Sequence, residues 1–479
     1  MTDSHTRFGR LAMPQHFDAI VIGTGQGGSP LAVRLAEKGR STAVIEREKF
    51  GGTCVNVGCT PTKAYVASAR TAHVARRAAD YGVKLAGDVS VDLAQVKARK
   101  DKIIGQSRNG VEKWLRGTEN LTVFNGHARF TGARTLSVTE PESGKVLAEL
   151  QADDIFINTG TRAVIPKLEG IERIRYHTNS SLLELTELPA HLVIVGGSYI
   201  ALEFAQVFRR FGSKVTVIVR GERVLAREDE DFALNVQKVL AREGIAFRFG
   251  AEPSRVEPLQ ESGAGVRVFF GNDAAPLEAS HLLFATGRRP NTDDLGLDAA
   301  GVDLDRHGTI PVDAQLRTNV PGVWAIGDVN GRGAFTHTSY DDFQIVSANL
   351  FDGGKRSVDE RIMAYAVFVD PPLARVGLSE NDVRKSGRDA LIATMPMTRV
   401  GRAREKGETD GFMKVLVDPQ SKQILGATIY GVDGDEAIHT FVDIMTARAP
   451  YTTLQYAMHI HPTISELIPT LLDGLAPMK

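Results

Sequence analysis

Short apolar runs, each followed by a glycine-rich turn and a longer amphipathic stretch, recur along the chain. Asp18-Ala19-Ile20-Val21-Ile22 reads as a strand, Gly23 to Gly28 as a turn and the stretch to Lys38 as a helix. Ser41 to Ile45 reads as a second strand, closing at Glu46. The rhythm returns with a strand His191–Val195, a turn from Gly196, a helix through Glu203 to Phe211 and a strand Lys214–Val219. Such strand–helix–strand units predict parallel sheets and an α/β class. Nearer the C-terminus the pattern changes. Gly411 to Val417 alternates and predicts a half-buried strand, and Asp435 to Ala449 predicts a helix.

The two turns carry the first chemistry. Gly23-Thr24-Gly25-Gln26-Gly27-Gly28 fits G-x-G-x-x-G. Gly23 permits a tight turn, Gly25 lets backbone approach a pyrophosphate, and Gly28 lets helix and strand pack closely. The phosphates belong at the helix N-terminus, where free N–H groups and the dipole favour anions. Glu46, 18 residues after Gly28, is placed for ribose hydroxyls. In the second turn, Gly196-Gly197-Ser198-Tyr199-Ile200-Ala201, Ser198 stands where a glycine belongs, while Ala201 is an accepted third member. Its second strand ends in Arg220, followed by Arg223 and Arg227 rather than an acid. An acid binds a free 2′-hydroxyl and repels a 2′-phosphate; arginine does the reverse, so NADPH is expected over NADH.

The chain has two cysteines, Cys54 and Cys59, separated by four residues and just after the first unit. A structural disulfide closing so short a loop gains little chain entropy. Zinc needs two further ligands that no nearby His or Cys supplies at usable spacing. Two inert buried thiols would leave the surrounding glycines and Lys63 unexplained, so a redox pair that opens and closes in turnover is expected. Five residues of regular helix rise about 7.5 Å, beyond the roughly 6.8 Å that a disulfide spans between Cα atoms. The helix is therefore expected to be distorted between the cysteines, with Gly58 allowing it.

Bulk properties narrow the partners. With 57 basic against 58 acidic residues, formal charge is −1, and neither nucleic acid nor an anionic membrane is expected as a partner. Met1 to Gln15 lacks the apolar core of a signal peptide. No apolar run is long enough to span a bilayer, so a cytoplasmic protein is expected, where a reduced pair is reachable.

Further motifs complete the pattern. Gly51-Gly52-Thr53-Cys54-Val55-Asn56-Val57-Gly58-Cys59-Thr60-Pro61-Thr62-Lys63 matches G-G-T-C-x-N-x-G-C-x-P-x-K in full. It is joined by Asn158-Thr159-Gly160, Ala285-Thr286-Gly287-Arg288-Arg289-Pro290-Asn291, the run Thr318 to Asp328, and His461-Pro462-Thr463-Ile464-Ser465-Glu466. From Phe17 to Leu472 the chain resembles the pyridine nucleotide-disulfide oxidoreductases, which include glutathione reductase, dihydrolipoamide dehydrogenase and mercuric reductase. The stretches Cys59 to Lys63 and Phe335 to Asp342 look closest to the mercuric-reductase-like subgroup.

The resemblance implies an α/β fold of two Rossmann-like dinucleotide-binding domains and a C-terminal α+β dimerisation domain. An extension would cover 1–16, an FAD-binding domain 17–159 and 287–354, an NAD(P)H-binding domain 160–286, and the dimerisation domain 355–479. It implies FAD against Gly23, Gly25, Gly28, Glu46, Gly52, Thr53, Lys63, Ala128, Thr159, Gly160, Asp328, Thr336 and His337. It implies NADPH against Gly196, Gly197, Ser198, Tyr199, Ile200, Glu203, Arg220, Arg223 and Gly287, with Tyr199 as an aromatic gate, and no resident metal. Cys59 would face the flavin, Cys54 would attack the substrate, and Lys63 would pair with Glu203 beside the flavin ring. His461, from the partner subunit of a homodimer, would be the general acid–base, oriented by Glu466. A helix N-terminus and nearby cation would lower the thiol pKa.

The substrate reading follows from what is missing. Mercuric reductases carry an additional C-terminal cysteine pair, and Pro469 to Lys479 holds none. Whatever is reduced is expected to reach Cys54 itself. The leading expectation is an NADPH-dependent reductase of a small disulfide. Alternatives are reduction of a metal ion or electrophile, a dihydrolipoamide dehydrogenase, which Arg220 argues against, and a non-turnover flavoprotein redox sensor. The run Arg399, Arg402, Arg404, Lys406 reads as a solvated charged surface, in preference to the alternative that it greets an anionic substrate.

Overall fold

The computed structural model describes residues 13–260, 262–271 and 275–479, so most of the 1–16 extension lies outside the described residues. The chain divides into two compact units, each assembled from three stretches of sequence. The first takes residues up to 60, 102–162 and 288–360; the second takes 61–101, 163–287 and 361–479.

The first unit is built on a sheet ordered Leu121–Asn125, Thr42–Glu46, Gln15–Ile22, Val146–Ile157, with Val323–Ala325 beside the end of the last. These neighbours are parallel, and Ile22 lies opposite both Ile45 and Ile157. Ala19 to Ile22 are buried throughout, which is why that strand reads as one apolar run. Helix Gly28–Glu37 sends Leu31, Ala32 and Leu35 into a core with Val21, Val44, Phe156 and Ile345. The chain order reverses on either side of Gln15–Ile22. The glycine turn leaves that strand's carboxyl end, where open α/β sheets bind ligands. His127–Gly132 and Thr135–Thr139 extend the sheet as an antiparallel meander.

The second unit holds a parallel sheet ordered Ala246–Arg248, Lys214–Ile218, His191–Val195, His281–Phe284. Helix Tyr199–Phe211 buries Leu202, Phe204, Phe208 and Phe211 against it. A six-stranded antiparallel sheet follows, ordered Ala364–Val367, Leu373–Gly377, Ile424–Tyr430, Phe412–Val417, Leu391–Pro396, Ala476–Pro477.

Two expectations change here. Strand Phe412–Val417 is buried at every position after Phe412 rather than on one face. Strands flank it on both sides. Met413, Val415 and Val417 enter one core, while on the other face Leu416 packs in a small apolar cluster with Val383 and Ala390. Lys414 is tolerated inside because its ammonium meets Asp231 at 2.6 Å and Glu380 at 2.7 Å. The helix expected over Asp435 to Ala449 is two segments, Gly434–Ala437 and His439–Thr446, joined at Ile438, whose backbone stays right-handed helical. No helix among the described residues is long and apolar enough to cross a membrane.

Candidate functional site

In the first turn, space forces the glycines. A Cβ on Gly23, whose φ is +99°, would lie 2.4 Å from the Asn158 carbonyl oxygen. One on Gly28 would lie 2.2 Å from the Gly23 oxygen, and one on Gly25 would lie 2.9 Å from Asn158 Oδ1. The Asn158 side chain ties the turn down: Gly28 N–H donates to it at 2.9 Å, and its own amide donates to the Ile326 carbonyl at 2.9 Å. Helix Gly28–Glu37 begins with neither a capping side chain nor an acid in its first turn. That end is left for an anion. Glu46 stands at the strand end, accepting from Thr24 N–H at 3.0 Å and the Thr24 hydroxyl at 2.6 Å.

Other residues expected at this site gather in the same unit. Gly52, with φ of +62°, presses on the turn: a Cβ there would meet Gly25 Cα at 2.9 Å. Thr53 follows it in helix Gly52–Asn56. Asp328 accepts from the Thr161 hydroxyl at 3.0 Å, and burial raises its carboxyl pKa. The Thr159 hydroxyl donates to the Asn291 carbonyl at 2.9 Å, and Asn291 N–H donates to the Gly160 carbonyl at 3.0 Å. Ala128 is buried in the sheet, and His337 stacks on Phe335 with ring centroids 5.4 Å apart. A cradle with no room for a Cβ, an uncapped helix and a fixed strand-end carboxylate fit a dinucleotide such as FAD, for which the turn would hold the pyrophosphate and Glu46 the ribose. Gly28→Ala should therefore lower bound flavin at least about tenfold, since one missing charge-assisted contact costs that much; the flavin-to-protein absorbance ratio of purified protein measures it.

The cysteines lie where the helix is expected to break. Helix Gly52–Asn56 ends at Val57, with φ of −143°, and helix Cys59–Arg76 begins at Cys59 itself. Gly58 contributes space rather than an unusual φ, because a Cβ there would lie 2.9 Å from the Thr53 carbonyl oxygen. Both cysteines are thiols; Cys54 is half-buried and Cys59 exposed. Cys59 Sγ is 3.3 Å from the Thr336 hydroxyl. The expected lowering does not apply to Cys54. A hydrogen bond to Cys59, then burial, push the Cys54 pKa up, against smaller opposing contacts from Thr336 and Thr60.

Lys63 lies one turn beyond Cys59 on the same helix. Its ammonium donates to Glu203 Oε2 at 2.8 Å, and Glu203 is almost fully buried. Phe368, which sequence reasoning missed, holds both: its N–H donates to Glu203 Oε1 at 2.9 Å and its ring centroid is 4.5 Å from Lys63 Nζ. No sequence motif marks Phe368, because one of its contacts comes from the backbone. His461 Nδ1 meets Glu466 Oε2 at 2.6 Å; the imidazole is 81% exposed and the Glu466 side chain 11%. The dyad leaves Nε2 outward.

The second turn repeats the steric logic. A Cβ on Gly196 would lie 2.3 Å from the Ala285 carbonyl oxygen, and one on Gly197 would lie 2.9 Å from Val219 Cγ1. Ser198 precedes helix Tyr199–Phe211 without capping it by a side-chain hydrogen bond, so Tyr199 and Ile200 form an open first turn. Gly287 sits beyond the neighbouring strand and accepts from Val164 N–H at 3.0 Å. The Arg220 side chain is 83% exposed, with Glu252 at 4.0 Å; Arg223 is nearer the surface turn, with Glu230 at 3.8 Å. Among the described residues no group of three or more His, Cys, Asp or Glu is placed to hold a metal ion.

Comparison with known proteins agrees with this arrangement. Residues 17–342 match the family model described as pyridine nucleotide-disulphide oxidoreductase, and residues 363–472 match that family's dimerisation domain. RclA of Escherichia coli (strain K12) is 36% identical over 461 residues, covering 95% of this chain and 99% of that protein. A mercuric reductase of Streptomyces lividans is 32% identical over 454 residues, covering 94% of each chain. A dihydrolipoyl dehydrogenase of Chlamydia muridarum is 33% identical over 459 residues, covering 95% of this chain and 96% of that protein. The Cu(II) complex of the HOCl-induced flavoprotein disulfide reductase RclA from Escherichia coli superimposes with a TM-score of 0.87 over 96% of this chain and 99% of that one, at 36% identity. The chain belongs to the pyridine nucleotide-disulphide oxidoreductases and is an enzyme of the flavoprotein disulfide reductase kind.

Proposed function

We propose that the protein is an FAD-dependent NADPH:disulfide oxidoreductase that reduces a low-molecular-weight disulfide through Cys54 and Cys59. The observation that carries this reading is the pair of sulfurs at the break between helices, Cys54 half-buried and Cys59 exposed. The net reaction is NADPH + H⁺ + RSSR → NADP⁺ + 2 RSH. Bound FAD supplies a two-electron carrier between nicotinamide and the cysteine pair. Cys54, relieved of its proton by an imidazole, attacks one substrate sulfur and forms a mixed disulfide. The departing thiolate takes a proton from His461, whose ring Glu466 holds in place. The Cys59 thiolate then attacks Cys54, releases the second thiol and closes the Cys54–Cys59 disulfide. Two electrons reopen it for the next turnover.

With its pKa raised, Cys54 needs a base before it can attack. We take His461 from a partner subunit of a homodimer as that base. Beside it Tyr456, Met458 and Ile460 are 82%, 99% and 78% exposed, an apolar stretch suited to burial by a second copy. The domain limits expected from sequence, and a cytoplasmic setting, belong to the same reading. Reduction of a metal ion is the second reading, supported by the Cu(II) complex of RclA and the likeness to mercuric reductase.

Arg220 supports NADPH: beyond the end of strand Lys214–Ile218 its side chain is 83% exposed, with only the long, solvent-exposed approach of Glu252 at 4.0 Å among the described residues. Steady-state oxidation of NADPH and NADH, with and without a small disulfide, tests the whole reading. Disulfide-dependent NADPH oxidation is expected, and Arg220→Glu should raise the NADPH KM by at least about tenfold, the worth of a charge-assisted hydrogen bond, while sparing NADH. Oxidation indifferent to the disulfide would overturn the function; a KM shift shared by both nucleotides would overturn the assignment of Arg220.

A further inference from the structure

The turn at Gly401, within the charged run that reads from sequence as solvated surface, lies against Glu466 of the His461–Glu466 dyad. A Cβ on Gly401 would lie 3.5 Å from Glu466 Oε1. The carboxylate that orients His461 thus rests on the backbone between Arg399 and Arg402. Val400 and Ala403 are fully buried and pin this turn, leaving Arg399, Arg402 and Arg404 on the outside. Neighbouring acids do not cancel these charges. Lys406 is taken up by Asp433. Among the described residues Arg402 pairs only with Glu405, at 3.1 Å, with both side chains nearly half-exposed, a pairing worth little in water. Among the described residues Arg399 carries no ion pair, and neither does Arg404.

We propose that Arg399 and Arg402 make the approach to the dyad electropositive and select disulfides bearing carboxylates or other anionic groups over neutral disulfides. The inference rests on the dithiol reading above and names its substrate class. Attraction of this kind acts over about a Debye length, roughly 8–10 Å at moderate salt, and weakens as salt rises. It acts before the chemical step, so it belongs in KM rather than kcat. It also disfavours a free metal cation as the species that approaches.

The test compares a dianionic aromatic disulfide, dithiobis(nitrobenzoate), with a neutral one, dithiodipyridine, under NADPH. Removing each arginine, in Arg399→Ala and Arg402→Ala, should raise the KM for the dianionic probe roughly three- to fivefold, the range of an exposed ion pair. The neutral probe should be unaffected, Arg399→Lys should restore the wild-type value, and added salt should erase the difference between probes. Equal KM changes for both probes, or none for either, would overturn the proposal while leaving the dithiol reading intact. If Cys54→Ser reduces both probes as fast as wild type, the dithiol reading fails and the charge selection falls with it.

Discussion

Cys54→Ser should lose disulfide reduction by about 10³-fold or more while still accepting electrons from NADPH. Replacing the attacking atom of a covalent mechanism removes nearly all of its advantage over water, on the order of 10³- to 10⁶-fold. A thiolate is the nucleophile in disulfide exchange, and a serine hydroxyl has no comparable anion near neutral pH. The exchange is nearly isosteric at a half-buried position, so stability should change by less than about 1 kcal/mol. Anaerobic NADPH should still bleach the bound flavin, and added disulfide should no longer restore its colour. A variant that reoxidises at the wild-type rate would show that electrons leave by another route.

His461→Ala should cost about 10²- to 10⁴-fold, the usual contribution of a positioned general acid–base. The loss should appear in kcat, because both the proton taken from Cys54 and the proton given to the leaving thiolate pass through this ring. Glu466→Gln keeps a hydrogen-bonding group near Nδ1 and should cost less. If one subunit supplies Cys54 and the other His461, two inactive variants can rescue each other. Unfolding and refolding Cys54→Ser together with His461→Ala should regain about a quarter of wild-type activity, from the intact site in each mixed dimer of a symmetric pair. No recovery, with mixed dimers verified by mass, would place both groups on one chain.

Much of this architecture was legible before any coordinates. The glycine turns announce themselves because steric exclusion is local: Gly23 and Gly28 have no room for a Cβ whatever lies elsewhere. The helix break between the cysteines was legible for a similar reason, since helix rise and disulfide reach conflict within six residues. What stayed hidden depends on neighbours distant in sequence. Strand Phe412–Val417 alternates on paper because Lys414 interrupts its apolar run, yet Asp231 and Glu380 come from far away to neutralise that lysine. Gly58 looked like a residue of conformational freedom and is one of close approach. The pKa of Cys54 could not be read from its helix either, because the neighbouring sulfur decides it. The meeting of Gly401 with Glu466 joins segments that share no motif.

The clasp made by Asn158 also bears on how the protein is made. Its one side chain joins Gly28, in the first strand–helix turn, to Ile326, next to Asp328. The glycine turn can form as soon as the first hundred or so residues leave the ribosome, since domains fold as units from the N-terminus. The clasp cannot close until residue 326 has emerged. The intervening segment, residues 163–287, is by then complete and free to fold around its own parallel sheet. On the proposed assignment of the two sites, biosynthesis runs against the direction of electron flow: the parallel sheet that would hold the electron-delivering nucleotide is complete before the flavin cradle can be sealed.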